Sequence, residues 1–263
     1  MRRYPQRIPP FWRETGGFFP LTTGIIIFQK VWYDISMKLS QRLNAVKEMI
    51  PRGSVVADIG ADRGELSLEL IASGIAPKVI LADISAKSLE RAKVLFGERE
   101  ERKKAEFRVG DGLAVLRPGE ADAAVFAGMG GPTICEILKN SPEVVSSLKT
   151  MVIQAMGNSD KVRRTLLEMG FCLKAEAMVE EEGQFYFILC AVPGEQRLDE
   201  TEIYAGPCLL QQKDETLKRY LTEEKEKARR ILTVLREKGE GLRRQEQLEA
   251  ELNRIAAAEE RMK

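Results

Sequence analysis

The sequence predicts an α/β protein: a mostly parallel seven-stranded sheet with a terminal antiparallel hairpin, followed by a C-terminal α-helical hairpin. Three observations predict it. Short apolar runs alternate with helical periodicity from residue 38 to residue 169. The first two runs each stop on an acid, Asp58 and Asp83, and Asp58 is followed two residues later by a glycine. Beyond residue 200 the strands give way to two long charged stretches with apolar residues near three-four spacing. Alternation of strand and helix builds a parallel sheet with helices on both faces.

Each element has its own signal. Leu39, Leu43, Val46 and Ile50 predict a first helix over 38–50, ended by Pro51 and Gly53. Strands fit 55–59, 78–83, 105–109, 122–127 and 150–155, with helices over 64–73, 85–102, 132–146 and 158–169. Runs 171–179 and 184–192 are parted only by Glu180-Glu181-Glu182-Gly183, which suits an antiparallel hairpin. Leu217, Leu221, Ala228, Ile231 and Leu235 mark one amphipathic helix, and Leu248, Leu252, Ile255 and Met262 another. Gly239-Glu240-Gly241 joins them into an antiparallel, coiled pair. Residues 1–36 are rich in Pro, Gly and aromatics without a period. They read as an extension that is disordered or not native, with Met37 as the natural start. The α/β domain is expected over 37–194 and the helical hairpin over 195–263.

Composition excludes several classes of chemistry. The chain of 263 residues contains no histidine, which rules out His-based triads, His-ligated metals and imidazole relays from its own side chains. Cys135, Cys172, Cys190 and Cys208 form no C-x-x-C pair, so no zinc site is expected, and reduced thiols fit a cytoplasmic protein. The apolar stretch from Phe18 to Trp32 is broken by Pro20 and Gly24, so no membrane span is expected. The net charge is +1, yet residues 1–36 carry five basic against two acidic side chains. A nucleic-acid partner must therefore be held by a local basic face.

The first strand leads into Asp58-Ile59-Gly60-Ala61-Asp62-Arg63-Gly64. A dinucleotide site needs G-x-G-x-x-G, so that bare backbone meets a pyrophosphate; here Asp62 stands at the second glycine and would repel one. Carboxylates suit instead a ligand with an ammonium group and ribose hydroxyls, and S-adenosylmethionine has both. Asp83 at the second strand end can accept both ribose hydroxyls. Asp111, in Gly110-Asp111-Gly112-Leu113, can accept from an exocyclic amine. Asp58 with the Gly60 backbone faces the amino-acid end. Asp62, Ile84, Gly112 and Ala127 complete the candidate cofactor contacts. The fourth strand ends in Ala127-Gly128-Met129-Gly130-Gly131-Pro132. Three glycines in four residues leave a bare backbone that a planar group can approach, and Pro132 suits the start of the next helix.

On these motifs the chain resembles the bacterial tRNA (adenine-22-N1)-methyltransferases. The resemblance is carried by Leu39-Ser40-x-Arg42-Leu43, by Ala57-Asp58-Ile59-Gly60-x-Asp62, by residues 110–113, by Ala127-Gly128-Met129-Gly130-Gly131 and by Gly206-Pro207 before paired leucines. It covers roughly residues 38–263. It implies a Rossmann-like class I methyltransferase fold, S-adenosyl-L-methionine as cofactor with S-adenosyl-L-homocysteine as product, no metal, and methyl transfer to N1 of an adenine in the tRNA D-arm. The C-terminal hairpin would help hold tRNA. Gly128, Met129, Gly130 and Tyr186 are then the candidate catalytic group, with Tyr186 stacking on a flipped base and Phe185 read as hairpin core. Lys38, Arg42, Arg63, Lys161, Arg163 and Arg164 are the candidate phosphate contacts.

The chain departs from the family pattern in three places. Arg63 replaces a usual His, Gln154-Ala155-Met156-Gly157-Asn158 replaces Gln-Pro-Asn, and Phe187 replaces an acid. The chemistry tolerates the lack of histidine, because adenine N1 carries an in-plane lone pair and needs no deprotonation. The Asn/Asp-Pro-Pro-aromatic run of exocyclic-amine methyltransferases is absent after the fourth strand. Two alternatives stay open at this point: methylation of another RNA base, a small molecule or a protein, and an inactive RNA-binding scaffold. A monomer is favoured over self-association of the helical hairpin.

Overall fold

Ser40 starts the first described helix, α1 (Gln41–Glu48), by accepting a hydrogen bond from the Leu43 N–H on its side-chain oxygen. The computed structural model describes residues 39–263. The 1–36 extension and Lys38 lie outside the described residues.

The strands follow the apolar runs. β1 (Val56–Ile59), β2 (Val79–Asp83), β3 (Ala105–Val109), β4 (Ala123–Met129) and β5 (Thr150–Ala155) are parallel, and β6 (Phe171–Glu181) and β7 (Gln184–Pro193) form the antiparallel hairpin. The described residues give a seven-stranded sheet in the order β3-β2-β1-β4-β5-β7-β6. β1 and β5 are buried at every position, because helices cover both faces of the sheet. The order reverses between β1 and β4, which opens a crevice at the carboxyl ends of the strands.

Between the strands run α2 (Glu65–Ala72), α3 (Ala86–Phe96), α4 (Gly131–Lys139), α5 (Pro142–Ser147) and α6 (Ser159–Glu168). Two expected helices are shorter than their spacing suggested. The 85–102 helix stops at Phe96, its last fully buried anchor, and a separate short 3-10 turn covers the charged residues Glu100–Lys104, none of which is buried. The 132–146 helix breaks before Pro142, whose ring displaces the preceding residue from helical geometry. β4 runs two residues further than expected, through a register shift between Ala127 and Met129.

The C-terminal region begins with two short helices that the spacing did not reveal, α7 (Glu200–Ala205) and α8 (Pro207–Gln212). Asp199 and Glu202 close a reciprocal capping box at the start of α7. The long pair α9 (Glu215–Lys238) and α10 (Leu242–Arg261) follows. Its near end is continuous with the main core: Leu217, Leu221, Ile255, Ala258 and Met262 join Ala205, Leu209 and Leu210 against sheet and α6 side chains. Its far end is held by a separate small cluster of Ala228, Leu232 and Leu248. The buried seam passes through Leu232 where heptad spacing predicts Ile231, which is exposed. Seven and four residues from Leu221 track the 3.6-residue turn of a straight helix better than a strict 3.5-residue repeat.

Arg163 of α6 corrects a sequence expectation. It is 0% exposed. Its Nε donates to Glu176 Oε1 at 2.7 Å and its Nη1 to the Ile203 carbonyl at 2.9 Å, while its guanidinium lies 4.9 Å from the Phe187 ring centre. Glu176 Oε2 accepts from the Cys208 N–H at 3.0 Å. Gly206 (φ +95°) lets the chain pass this pair: a Cβ there would stand 2.6 Å from Glu176 Oε2. Arg163 therefore ties α6, β6, α7 and α8 together and is unavailable to a phosphate. No helix among the described residues is long and apolar enough to cross a membrane.

Candidate functional site

The loop after β1 is laced to β2. Gly60 and Ala61 both donate backbone N–H bonds to the Ala82 carbonyl, at 2.8 and 3.1 Å. Asp62 (φ +45°) then turns so that its own N–H donates to Asp83 Oδ2 at 3.1 Å. The Ser85 N–H takes the other oxygen, Oδ1, at 2.8 Å. Asp83 thus has one backbone donor on each oxygen and spare lone pairs on both. The Asp62 carboxylate is exposed and paired with Arg91 Nη2 of α3 at 2.6 Å.

Asp58 lies deeper. It is 3% exposed, and Ser67 Oγ donates to its Oδ2 at 2.6 Å. Burial pushes its carboxyl up to about 6; the Ser67 bond opposes that shift and the Asp83 charge adds to it. Ile84 is an apolar side chain left 74% exposed beside Asp83. Asp111 is exposed, and its side chain caps no helix. Gly112 is backed by Ile137 of α4, which fills the space a Cβ would take. Ala127 pairs with Gln154 at the end of β4. The structure therefore gathers all the sequence-predicted cofactor residues along one sheet edge, with Asp62 engaged by an arginine.

The glycine run closes the crevice. Gly128 (φ +80°) sits in the register shift of β4, a backbone state that L side chains rarely adopt. Its N–H donates to Gln154 Oε1 at 2.9 Å. The Met129 carbonyl accepts from the Met156 N–H at 2.8 Å, and the Met129 Cε would stand 2.8 Å from a Cβ at Gly60. Gly130 is the N-cap of α4. Met156 is 51% exposed at the mouth. Tyr186 lies on β7, with the Arg42 guanidinium 5.4 Å from its ring centre. Phe185 and Phe187 alternate to the other face, where both meet Tyr220 of α9 edge-on at 5.6 and 5.4 Å. Phe185 is thus hairpin core.

The basic residues divide. Arg42 is mostly buried and points inward at Gln154, Glu181 and Tyr186, not outward at a phosphate. Arg63 is exposed but lies 3.7 Å from Asp62 and 3.5 Å from Glu65. Lys161 and Arg164, three residues apart, share an exposed face of α6, with Arg164 bonded to Glu200 at 2.5 Å. Sequence reasoning missed Gln154, Glu181, Met156 and Arg91. The altered 154–158 run was the signal for the first and third; nothing local marked Arg91 or Glu181.

A reversed parallel sheet closed by an antiparallel hairpin, with acids at successive strand ends and no phosphate loop, defines a class I methyltransferase. Residues 39–189 match the methyltransferase domain family. The tRNA (adenine(22)-N(1))-methyltransferase of Bacillus subtilis (strain 168) is 33% identical over 160 residues, covering 61% of this chain and 67% of that protein. The crystal structure of the B. subtilis m1A22 tRNA methyltransferase TrmK superposes with a TM-score of 0.77 at 27% identity, covering 87% of this chain and all of the other. M. capricolum TrmK, solved with the natural cofactor product S-adenosyl-homocysteine, has the same fold at 22% identity and a TM-score of 0.76, covering 86% of this chain and all of the other. The chain belongs to the tRNA (adenine-22-N1)-methyltransferase family.

The residues present fit the cofactor of that family. Asp83 keeps paired acceptors for two vicinal hydroxyls, Ile84 offers an apolar wall beside them, and the buried Asp58 carboxyl gains from a neighbouring ammonium. Among the described residues no His, Cys, Asp or Glu cluster is gathered as a metal site.

Proposed function

We propose that this protein transfers a methyl group from S-adenosyl-L-methionine to N1 of adenine 22 in tRNA. The observation that carries the reading is the convergence of Asp58, Asp83 and Asp111 with the bare Gly128–Gly130 backbone on one sheet edge. When bound, the cofactor supplies an electrophilic methyl on a sulfonium. Asp83 holds the ribose hydroxyls, Asp111 and Ile84 the adenine, and Asp58 with the Gly60 backbone the amino-acid end; Asp62, Gly112 and Ala127 line the path between. Met129 packs under Gly60 and keeps the donor end and the acceptor end in contact. Gly128 and Gly130 give the acceptor base a floor with no side chain in the way, and Tyr186 gives it an aromatic wall. The base supplies its own nucleophile, so alignment and exclusion of water are the work of the chain. Extruding a base from structured tRNA costs a few kcal/mol, which stacking on Tyr186 offsets.

Residues 37–194 act as the methyl-donor domain, and 195–263 hold tRNA, with Lys161, Arg164 and Arg63 as the exposed phosphate contacts. The protein works as a monomer in the cytoplasm. The test is incubation with labelled donor and unmodified tRNA, followed by digestion to nucleosides. Label should appear in 1-methyladenosine and vanish when adenine 22 is replaced. Label in another nucleoside, or cofactor uptake without transfer, would overturn the assignment.

A further inference from the structure

We propose that Arg42 is a positioning residue for methyl transfer, holding the Gly128 backbone and the Tyr186 ring at a fixed separation through the buried amide of Gln154. The proposal rests on the methyl-transfer reading above.

Gln154 is 0% exposed at the end of β5. Its Oε1 accepts twice, from the Gly128 N–H at 2.9 Å and from Arg42 Nη1. Its Nε2 donates to the Ala155 carbonyl at 3.1 Å and faces the Met156 sulfur at 3.6 Å. Every direction of the amide is used, so it has one orientation: a flipped amide would set NH₂ against two donors. The same Arg42 reaches the β6–β7 hairpin by two further routes. Its Nε stands 3.8 Å from Glu181 Oε2, and its guanidinium carbon stands over the Tyr186 ring, 5.4 Å from the centre. One planar cation therefore spans α1, the bulge of β4 by way of β5, and the hairpin.

The two parts it links are the floor and the aromatic wall of the acceptor slot. Gly128 has no side chain to anchor it and sits in the register shift of the strand, so its position depends on the Gln154 oxygen. In-line transfer needs nucleophile and methyl near 3 Å apart, and a misplacement of about 1 Å costs about 100-fold in rate. A lysine does not replace the guanidinium, because one ammonium cannot meet Gln154, Glu181 and the Tyr186 ring at once. Arg42 acts through Gly128 and Tyr186 and not by touching a phosphate.

The experiment compares the full chain with Arg42→Ala, Arg42→Lys, Gln154→Leu and Gln154→Glu. It measures kcat and KM for tRNA, cofactor affinity by calorimetry, and backbone amide exchange of residues 127–131 by mass spectrometry. Both Arg42 variants should lower kcat about 10- to 100-fold with tRNA KM and cofactor Kd within about threefold, and should speed exchange at 127–131. Gln154→Leu should do the same, and Gln154→Glu, which keeps the shared acceptor but turns its second oxygen on the Ala155 carbonyl, should fall between Gln154→Leu and the parent. A raised tRNA KM with unchanged kcat and unchanged exchange would make Arg42 a phosphate contact and overturn the proposal. If the parent chain methylates no tRNA, the functional reading fails by itself. Exchange at 127–131 in the Arg42 and Gln154 variants still decides whether the relay holds the loop.

Discussion

Two regions of this molecule bury acids, and they do so to opposite ends. At the joint of β6 with α6–α8, Glu176 and Arg163 are sealed, and both Glu176 oxygens and two Arg163 nitrogens are bonded within the chain. At the carboxyl edge of the sheet, Asp83 and Asp111 face the crevice with acceptor capacity left over, and Asp58 sits just beneath with its carboxyl pushed up to about 6. A charged pair sealed from solvent and bonded to its own chain holds a fold; an acid at the crevice with lone pairs to spare is prepared for a ligand. Residue type alone does not separate the two cases. Arg163 and Arg164 are adjacent in sequence, yet one is sealed and the other exposed.

The sharpest way to break the comparison is at the sealed pair. Arg163→Ala strands Glu176 without its cation and should cost about 3–5 kcal/mol of stability, read by denaturant unfolding. Arg163→Met with Glu176→Leu should recover much of that, since apolar replacement of both partners removes the stranded charge. If Arg163→Ala unfolds like the parent but binds tRNA with a flatter salt dependence, the assignment of roles is inverted.

The second test uses pH at the open edge. Asp58 holds its proton more tightly folded (about 6) than unfolded (usual value 3.8), so its ionisation weakens the fold as pH rises across that window. The ionised form costs roughly 3 kcal/mol at neutral pH. An ammonium beside it offsets that cost. Cofactor affinity should therefore climb about tenfold per pH unit below 6 and level off above it. Calorimetry in buffers of different ionisation enthalpy should detect proton release at pH 5 and little at pH 7, where Asp58 is ionised and the cofactor's amino group still carries its proton. Affinity flat from pH 5 to 8 would remove Asp58 from the donor site.

A smaller effect is expected at Asp83. Asp83→Asn leaves one carbonyl oxygen where two anionic acceptors stood, and should weaken cofactor binding by about 2 kcal/mol, measured by calorimetry. The smallest belongs to the exposed cations. Lys161→Ala with Arg164→Ala should lower the slope of log affinity for tRNA against log salt by about 1–2, with less than 1 kcal/mol lost in stability.

Much of the fold was legible because buried parallel strands are written as continuous apolar runs. The strand starts expected at 55, 78, 105 and 150 fall within one residue of Val56, Val79, Ala105 and Thr150, and the terminal hairpin starts at Phe171 and Gln184 as expected. Helix ends were less legible: Phe96 is the last buried anchor of α3, and Pro142 interrupts what periodicity alone joins. The placing of Asp58, Asp83 and Asp111 along one edge of the sheet was readable, since each stands at or beside the end of one of three consecutive strands. The acceptor side was not. Gln154, Arg42, Glu181 and Tyr186 come from four separate elements, brought together by the pairing of β5, β7 and β6 and by α1 against them. Arg163 misled for the same reason, since its partner Glu176 lies across a strand and not along the helix.

Calorimetric titration at pH 7.5 tests the central claim most directly, by comparing S-adenosyl-L-methionine, S-adenosyl-L-homocysteine and NAD on the same preparation. The arrangement of acids predicts saturable uptake of both adenosyl-sulfur compounds and none of the dinucleotide. Tight uptake of NAD with no heat from either of the others would contradict it.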